Sequence, residues 1–425
     1  MRRAAEILIL FSTATLFYRR EIFYLFKPFE IGILTAVICT LVYALNAKKN
    51  LFKEIPHLPL WLTLFALMFL FSAIGTANGY RVYGIADPVK TAGGFFYLGI
   101  GMLALLLTLY YGRSARFRNA ITLSFASSLL FAPFIFMPEL AEKAGFITER
   151  IYFQGLHKNP TTFAFLASIA AITLIGKYFA RNHICRRAAY ASGIICILAL
   201  CLWTGSRASL LAIFLSFAWI AFHSRLFGVR KSAIILAAVV ATATAFVIIP
   251  HRAQIMVLDR VYPQISGTAP NPTRFDNISL RTAFGSLATG TPSLPYQSRQ
   301  SLWSQSINLF MAHPLGLGME YFRSAQAIRQ NGDITHSHNT VLQVLLTGGV
   351  GLFITCLFFV FFVLKKTYRS KKDAEWLVIT TMLVCSAAFL MIGESFYITP
   401  WIWVIAALAL LLPRADEIRE AKGFL

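Results

Sequence analysis

The 425-residue sequence is long enough for two or three soluble domains, but 57% of it is hydrophobic, only 13% is charged, and its mean hydropathy is +0.65. Soluble chains carry roughly 45–50% apolar and about 25% charged residues, so this chain lacks the polar surface to cover itself in water. The apolar excess comes in blocks of about 20 residues rather than alternating segments of about 10, which excludes a barrel and reads as an all-α integral membrane protein. The net charge of +21 would suggest nucleic acid in a soluble protein; here it is topological, and no nucleic-acid partner is expected. The six cysteines include no CxxC pair, so neither a disulfide framework nor a zinc knuckle is expected, and no cofactor is implied.

In chain order, Met1-Arg2-Arg3 leads into an apolar run with no A-x-A-type cleavage site before the next span, which reads as a retained first helix. About twelve transmembrane helices are predicted, over 5–18, 28–46, 56–75, 92–111, 120–137, 161–178, 188–203, 207–223, 231–250, 339–364, 376–393 and 400–413. Basic residues crowd alternate short connections, among them Lys48, Lys49 and Lys53, then Arg113, Arg116 and Arg118, and later Lys365, Lys366 and Arg369. By the positive-inside rule those connections and both termini are cytoplasmic. The expected organisation is therefore nine spans in 1–250, one large outer loop in 251–335, three spans in 336–413 and a cytoplasmic tail in 414–425.

The long loop is too long to lack purpose and should be partly helical. It holds seven arginines and no lysine against four acids; arginine suits planar, bidentate recognition of phosphate, whereas lysine acts as a point charge. Late in it, Arg299, Trp303 and Phe310 precede the turn His313-Pro314-Leu315-Gly316-Leu317-Gly318. A helix there would be amphipathic, with Leu302, Ile307, Leu309 and Phe310 available to lie on the membrane surface.

Three outer-rim features bear charge or acid–base chemistry. Thr335-His336-Ser337-His338-Asn339 directly precedes an apolar helix, with Thr335 and Ser337 as N-cap candidates. His338 then sits in the first turn, where the positive helix end keeps imidazole neutral, as a general base requires; two histidines spaced by two make a poor metal site. Arg207 in Thr204-Gly205-Ser206-Arg207 opens a helix at the boundary, and a charge so near a span needs a partner unless it snorkels to headgroups. Arg81 lies between aromatics in Gly79-Tyr80-Arg81-Val82-Tyr83-Gly84, either an interfacial belt residue or a third outward cation.

Together these residues resemble the O-antigen ligase/polymerase superfamily of bacterial envelope glycosyltransferases. The resemblance rests on Ser206-Arg207, Arg299-x-x-x-Trp303, the His313–Gly318 turn, His338-Asn339-x-x-x-Gln343 and the glycine pair Gly348/Gly351. It is specific for about 200–351 and topological elsewhere; the family usually has nine residues before the first of these glycines, and here there are eight. Length and the lack of an extra periplasmic domain resemble the O-antigen ligase branch. The implied fold is GT-C-like and multi-pass in the bacterial inner membrane, with the large loop and the active site facing the periplasm.

The resemblance implies inverting, metal-independent transfer of an O-antigen glycan from undecaprenyl pyrophosphate to lipid A–core. Arg207 and Arg299, with Arg81 as a third, would bind the pyrophosphate. His338 would take the acceptor hydroxyl proton, with His336, Asn339 and His313 adjacent to substrate. The nearest alternative is an O-antigen polymerase, with the same donor but a second lipid-linked glycan as acceptor. A polysaccharide or lipid transporter is the alternative from another class; it would need ionisable residues at mid-span, of which these spans have almost none.

Overall fold

A computed structural model describes residues 1–15, 28–48, 50–84, 88–125, 167–175, 207–223, 299–319, 339–370, 373–392 and 399–413. Ten helices are bounded within them: α1 (Arg2–Ala14), α2 (Pro28–Asn46), α3 (Leu51–Glu54), α4 (Leu58–Tyr83), α5 (Pro88–Tyr111), α6 (Arg207–Phe222), α7 (Arg299–Ala312), α8 (Thr340–Arg369), α9 (Ala374–Ile392) and α10 (Pro400–Leu410). Residues 115–125 and 167–175 are also helical, and no extended strand occurs among the described residues. Five stretches are long and apolar enough to cross a membrane: Phe29–Asn46, Leu58–Tyr83, Thr91–Tyr111, Thr340–Arg369 and Ala374–Met391. The expected spans 188–203 and 231–250 lie outside the described residues.

Side-chain pairings fix how the helices run. Trp61 at the start of α4 meets Phe359 and Phe362 of α8 edge to face, at 6.0 and 6.3 Å, Phe71 abuts Gly351, and Gly75 abuts the Thr347 carbonyl. As α4 advances its partners retreat, so the two helices are antiparallel. α6 and α9 are antiparallel as well: Trp219 Nε1 donates to Thr380 Oγ1 at 3.1 Å, while His223 packs on Trp376. α10 is apolar on every side and is accordingly buried all round. It runs beside α5, with Trp403 against Gly101 and Leu411 against Gly112.

These pairings give the bundle two ends of different chemistry. At one lie Lys48 and Lys53, Arg113, and Lys365, Lys366 and Arg369. Arg118 is the exception among these basics, because it is buried. Its Nε and Nη2 donate to the two carboxylate oxygens of Glu375 at 2.6 and 3.3 Å, and its Nη1 donates to the Gly112 and Arg113 carbonyls at 3.1 Å. This pair ties the α5 exit to the first turn of α9, where Asp373 Oδ1 accepts from the Trp376 amide. At the opposite end lie the C-terminus of α4, the N-termini of α6 and α8, and the loop after α7.

Three sequence expectations are corrected here. The span read as 56–75 continues as helix to Tyr83, because the small residues Gly75 and Gly79 let α4 pass close to neighbouring backbone instead of ending it. α8 is helical from Thr340 to Arg369 but breaks at Gly348 (φ −133°, ψ 19°) and Gly349 (φ 64°, ψ −159°). In α7, Leu302 is buried and Leu309 and Phe310 pack against Tyr83, Leu317 and Leu346. Ile307 is outward as expected, and the exposed large apolar residues of α7 are Trp303, Ile307 and Met311, one helical face at a spacing of four.

A candidate functional site around a broken helix

The break in α8 frees main-chain groups that an apolar surrounding would leave unsatisfied at several kcal/mol each. The turn after α7 takes them up. In an unbroken helix the Val350 amide would donate to the Leu346 carbonyl; here it donates to the Pro314 carbonyl at 3.2 Å. The Leu346 and Thr347 carbonyls accept instead from the Leu317 and Gly318 amides, at 2.6 and 2.9 Å. The His313–Gly318 turn is thus a hook seated in the gap between the two halves of α8.

The hook requires glycine at its tightest points. Gly316 turns at φ +84° and Gly349 at φ +64°, a left-handed region costly for any side chain. A Cβ on Gly316 would also lie 2.6 Å from the Gly349 nitrogen, and one on Gly349 would overlap the Pro314 carbonyl oxygen. α4 holds the hook from the other side. Asn78 Nδ2 donates to the Gly316 carbonyl at 2.7 Å, Thr76 Oγ1 accepts from the Met319 amide at 3.3 Å, and Gly79 leaves room for the Leu317 carbonyl.

The first half of α8, Thr340 to Thr347, is therefore a short helix held by the hook. Its cap is Asn339, whose Oδ1 accepts from the Val341 and Leu342 amides at 2.9 and 3.2 Å. This corrects the expectation that Thr335 or Ser337 caps the helix: the segment offers three good capping residues, and the last is used. His338 accordingly precedes the cap rather than lying in the first turn, and Asn339, read as adjacent to substrate, has its side-chain oxygen engaged by the helix.

The other predicted site residues fall as follows. Arg81 is exposed in the last turn of α4, at the same end as Asn339. His313 is half-buried at the start of the hook, its ring edge to face with Tyr83 at 6.2 Å. Arg207 is the first residue of α6 and Arg299 the first of α7; their side chains lie outside the described features, as do His336 and His338 altogether. Asn78, Thr76 and Gly79 were not identified from sequence. Their signal was present as a polar, small-residue break at the end of an otherwise apolar run.

An end with an exposed arginine and a capped short helix whose positive pole faces outward suits an anionic group. Fold and site together define a multi-pass helical membrane protein with an irregular, hooked rim. Residues 192–357 match the family described as O-antigen ligase. No curated protein matches the chain.

Proposed function

We propose that this chain is an O-antigen ligase: a glycosyltransferase that moves an O-antigen glycan from undecaprenyl pyrophosphate to lipid A–core at the periplasmic face of the inner membrane. The observation carrying this reading is the O-antigen ligase match over 192–357, a stretch that holds Arg207, Arg299, His313, His336, His338 and Asn339. In the reaction, an acceptor sugar hydroxyl attacks the anomeric carbon, the bond from that carbon to the pyrophosphate oxygen breaks, and the hydroxyl proton passes to His338. Arg207 and Arg299, with Arg81 as a third, stabilise the charge developing on the leaving pyrophosphate without a metal.

The proposal extends to the layout of twelve spans. Residues 1–250 hold nine of them, 251–335 form the periplasmic loop containing α7, 336–413 hold three, and 414–425 are a cytoplasmic tail. Separation of the basic end of the bundle from the end bearing Arg81 and Asn339 supports both termini being cytoplasmic. The test is reconstitution in nanodiscs with an undecaprenyl-pyrophosphate glycan, with and without lipid A–core. Glycan on lipid A–core, only when that acceptor is present, is the expected result. Longer lipid-linked chains without it would make the protein a polymerase, and no product in either case would favour a transporter.

A further inference from the structure

The hook links two elements that are far apart in the sequence. α4 supplies Asn78, 238 residues from its partner Gly316, and α8 supplies the half-helix whose cap immediately follows His338. Between them the hook bonds in both directions across the helix break, giving amides from Leu317 and Gly318 and a carbonyl from Pro314. The half-helix cannot shift relative to the rest of α8 without breaking the bonds on one side or the other of this bridge. Nor can the hook leave the gap without losing the Asn78 bond to Gly316 and the Thr76 bond to Met319. Asn78 is only half-buried and makes this bond from a helix that carries Arg81 less than one turn further on.

We propose that Asn78 is a positioning residue for glycosyl transfer: through the Gly316 carbonyl it clamps the hook, and through the hook it sets the position of the N-terminal half of α8, whose cap Asn339 directly follows His338 in the sequence. The inference rests on the ligase reading for its catalytic part and on the hydrogen bonds of Asn78, Thr76 and the hook for the clamp. Asn78 touches neither donor nor acceptor in this account, so its loss changes the rate of the chemical step and not the affinity for either substrate. It also couples α4 to α8, and so the helix bearing Arg81 to the helix that follows His338.

Asn78→Asp tests this, because it keeps the size of the side chain and replaces the donating Nδ2 with an oxygen that repels the Gly316 carbonyl. In full-length protein in nanodiscs, amide hydrogen exchange should rise in peptides covering 314–319 and 346–350, with α9 and α10 unchanged. In the transfer assay kcat should fall on the order of tenfold, the loss of one part-buried hydrogen bond, with KM for donor and acceptor unchanged. Asn78→Gln, which restores a donor, should recover part of the rate. Thr76→Val removes the second anchor without adding charge and should move the same peptides in the same direction, which keeps the test open if Asn78→Asp fails to fold. Unchanged exchange in both variants would overturn the clamp; raised exchange with unchanged kcat, or a rise in KM alone, would overturn the positioning role. A wild-type protein that transfers no glycan would instead fail the ligase reading, and exchange would still decide the clamp.

Discussion

The Leu317 amide donates to the Leu346 carbonyl at 2.6 Å, the carbonyl that Val350 would serve in an unbroken helix. A connecting turn thus replaces a helical hydrogen bond at a place where water is scarce, and partners the Leu346 and Thr347 carbonyls and the Val350 amide at the bend in α8. The same bond fixes the register between hook and helix, since Gly318 and Thr347 pair next to it.

Substituting the glycines that permit this arrangement should be costly. Gly349→Ala places a side chain in left-handed backbone and against the Pro314 carbonyl, and should lose at least about 2 kcal/mol. Gly93→Ala on α5, where an added Cβ meets nothing within 4 Å, should be neutral or gain about 0.5–1 kcal/mol. Thermal unfolding of both in detergent checks this. Equal melting temperatures would mean that the hook does not constrain Gly349.

The ion pair at the basic end makes a separate prediction. Arg118→Lys keeps the charge but loses the two-pronged contact with Glu375 and the bonds to the Gly112 and Arg113 carbonyls. A loss of about 1–3 kcal/mol is expected, with transfer per folded molecule unchanged because the pair lies at the far end from Asn339. A purified variant that melts like wild type would show the pair to be dispensable.

Asn339 should act first through its cap. Asn339→Ala removes the acceptor for the Val341 and Leu342 amides and should destabilise by about 1 kcal/mol. Asn339→Ser restores a good cap and should recover most of that stability. If Ser and Ala melt alike, the contribution of Asn339 is not capping.

Much of this was legible in the sequence. The edges of α2, α6 and α9 follow from where apolar runs meet charge or proline, and their expected bounds of 28–46, 207–223 and 376–393 lie within two residues of the helices. The break in α8 was not anticipated, although the adjacent Gly348 and Gly349 are its signal; their meaning depends on a turn some thirty residues earlier. Arg118 read as one more topological charge, because nothing near it reveals a carboxylate 257 residues away. The cap at Asn339 could not be chosen over Ser337, since Asn and Ser suit the position alike, and Thr335 ranks only slightly below them.

Arg207 distinguishes a pyrophosphate contact from a headgroup contact. Arg207→Lys should slow transfer by at least about tenfold if the guanidinium holds the leaving group at two points, and chelator should leave the wild-type rate intact. Full activity in the lysine variant, measured in the reconstituted assay, would assign Arg207 to the membrane interface.

In the proposed reaction the central step is that His338 accepts the proton of the attacking hydroxyl. Its most direct test compares wild type and His338→Ala in nanodiscs supplied with undecaprenyl-pyrophosphate glycan and lipid A–core, with melting temperatures measured on the same samples. The variant should melt like wild type and form no glycosylated lipid A–core. Transfer by the variant at a rate near that of wild type would contradict it.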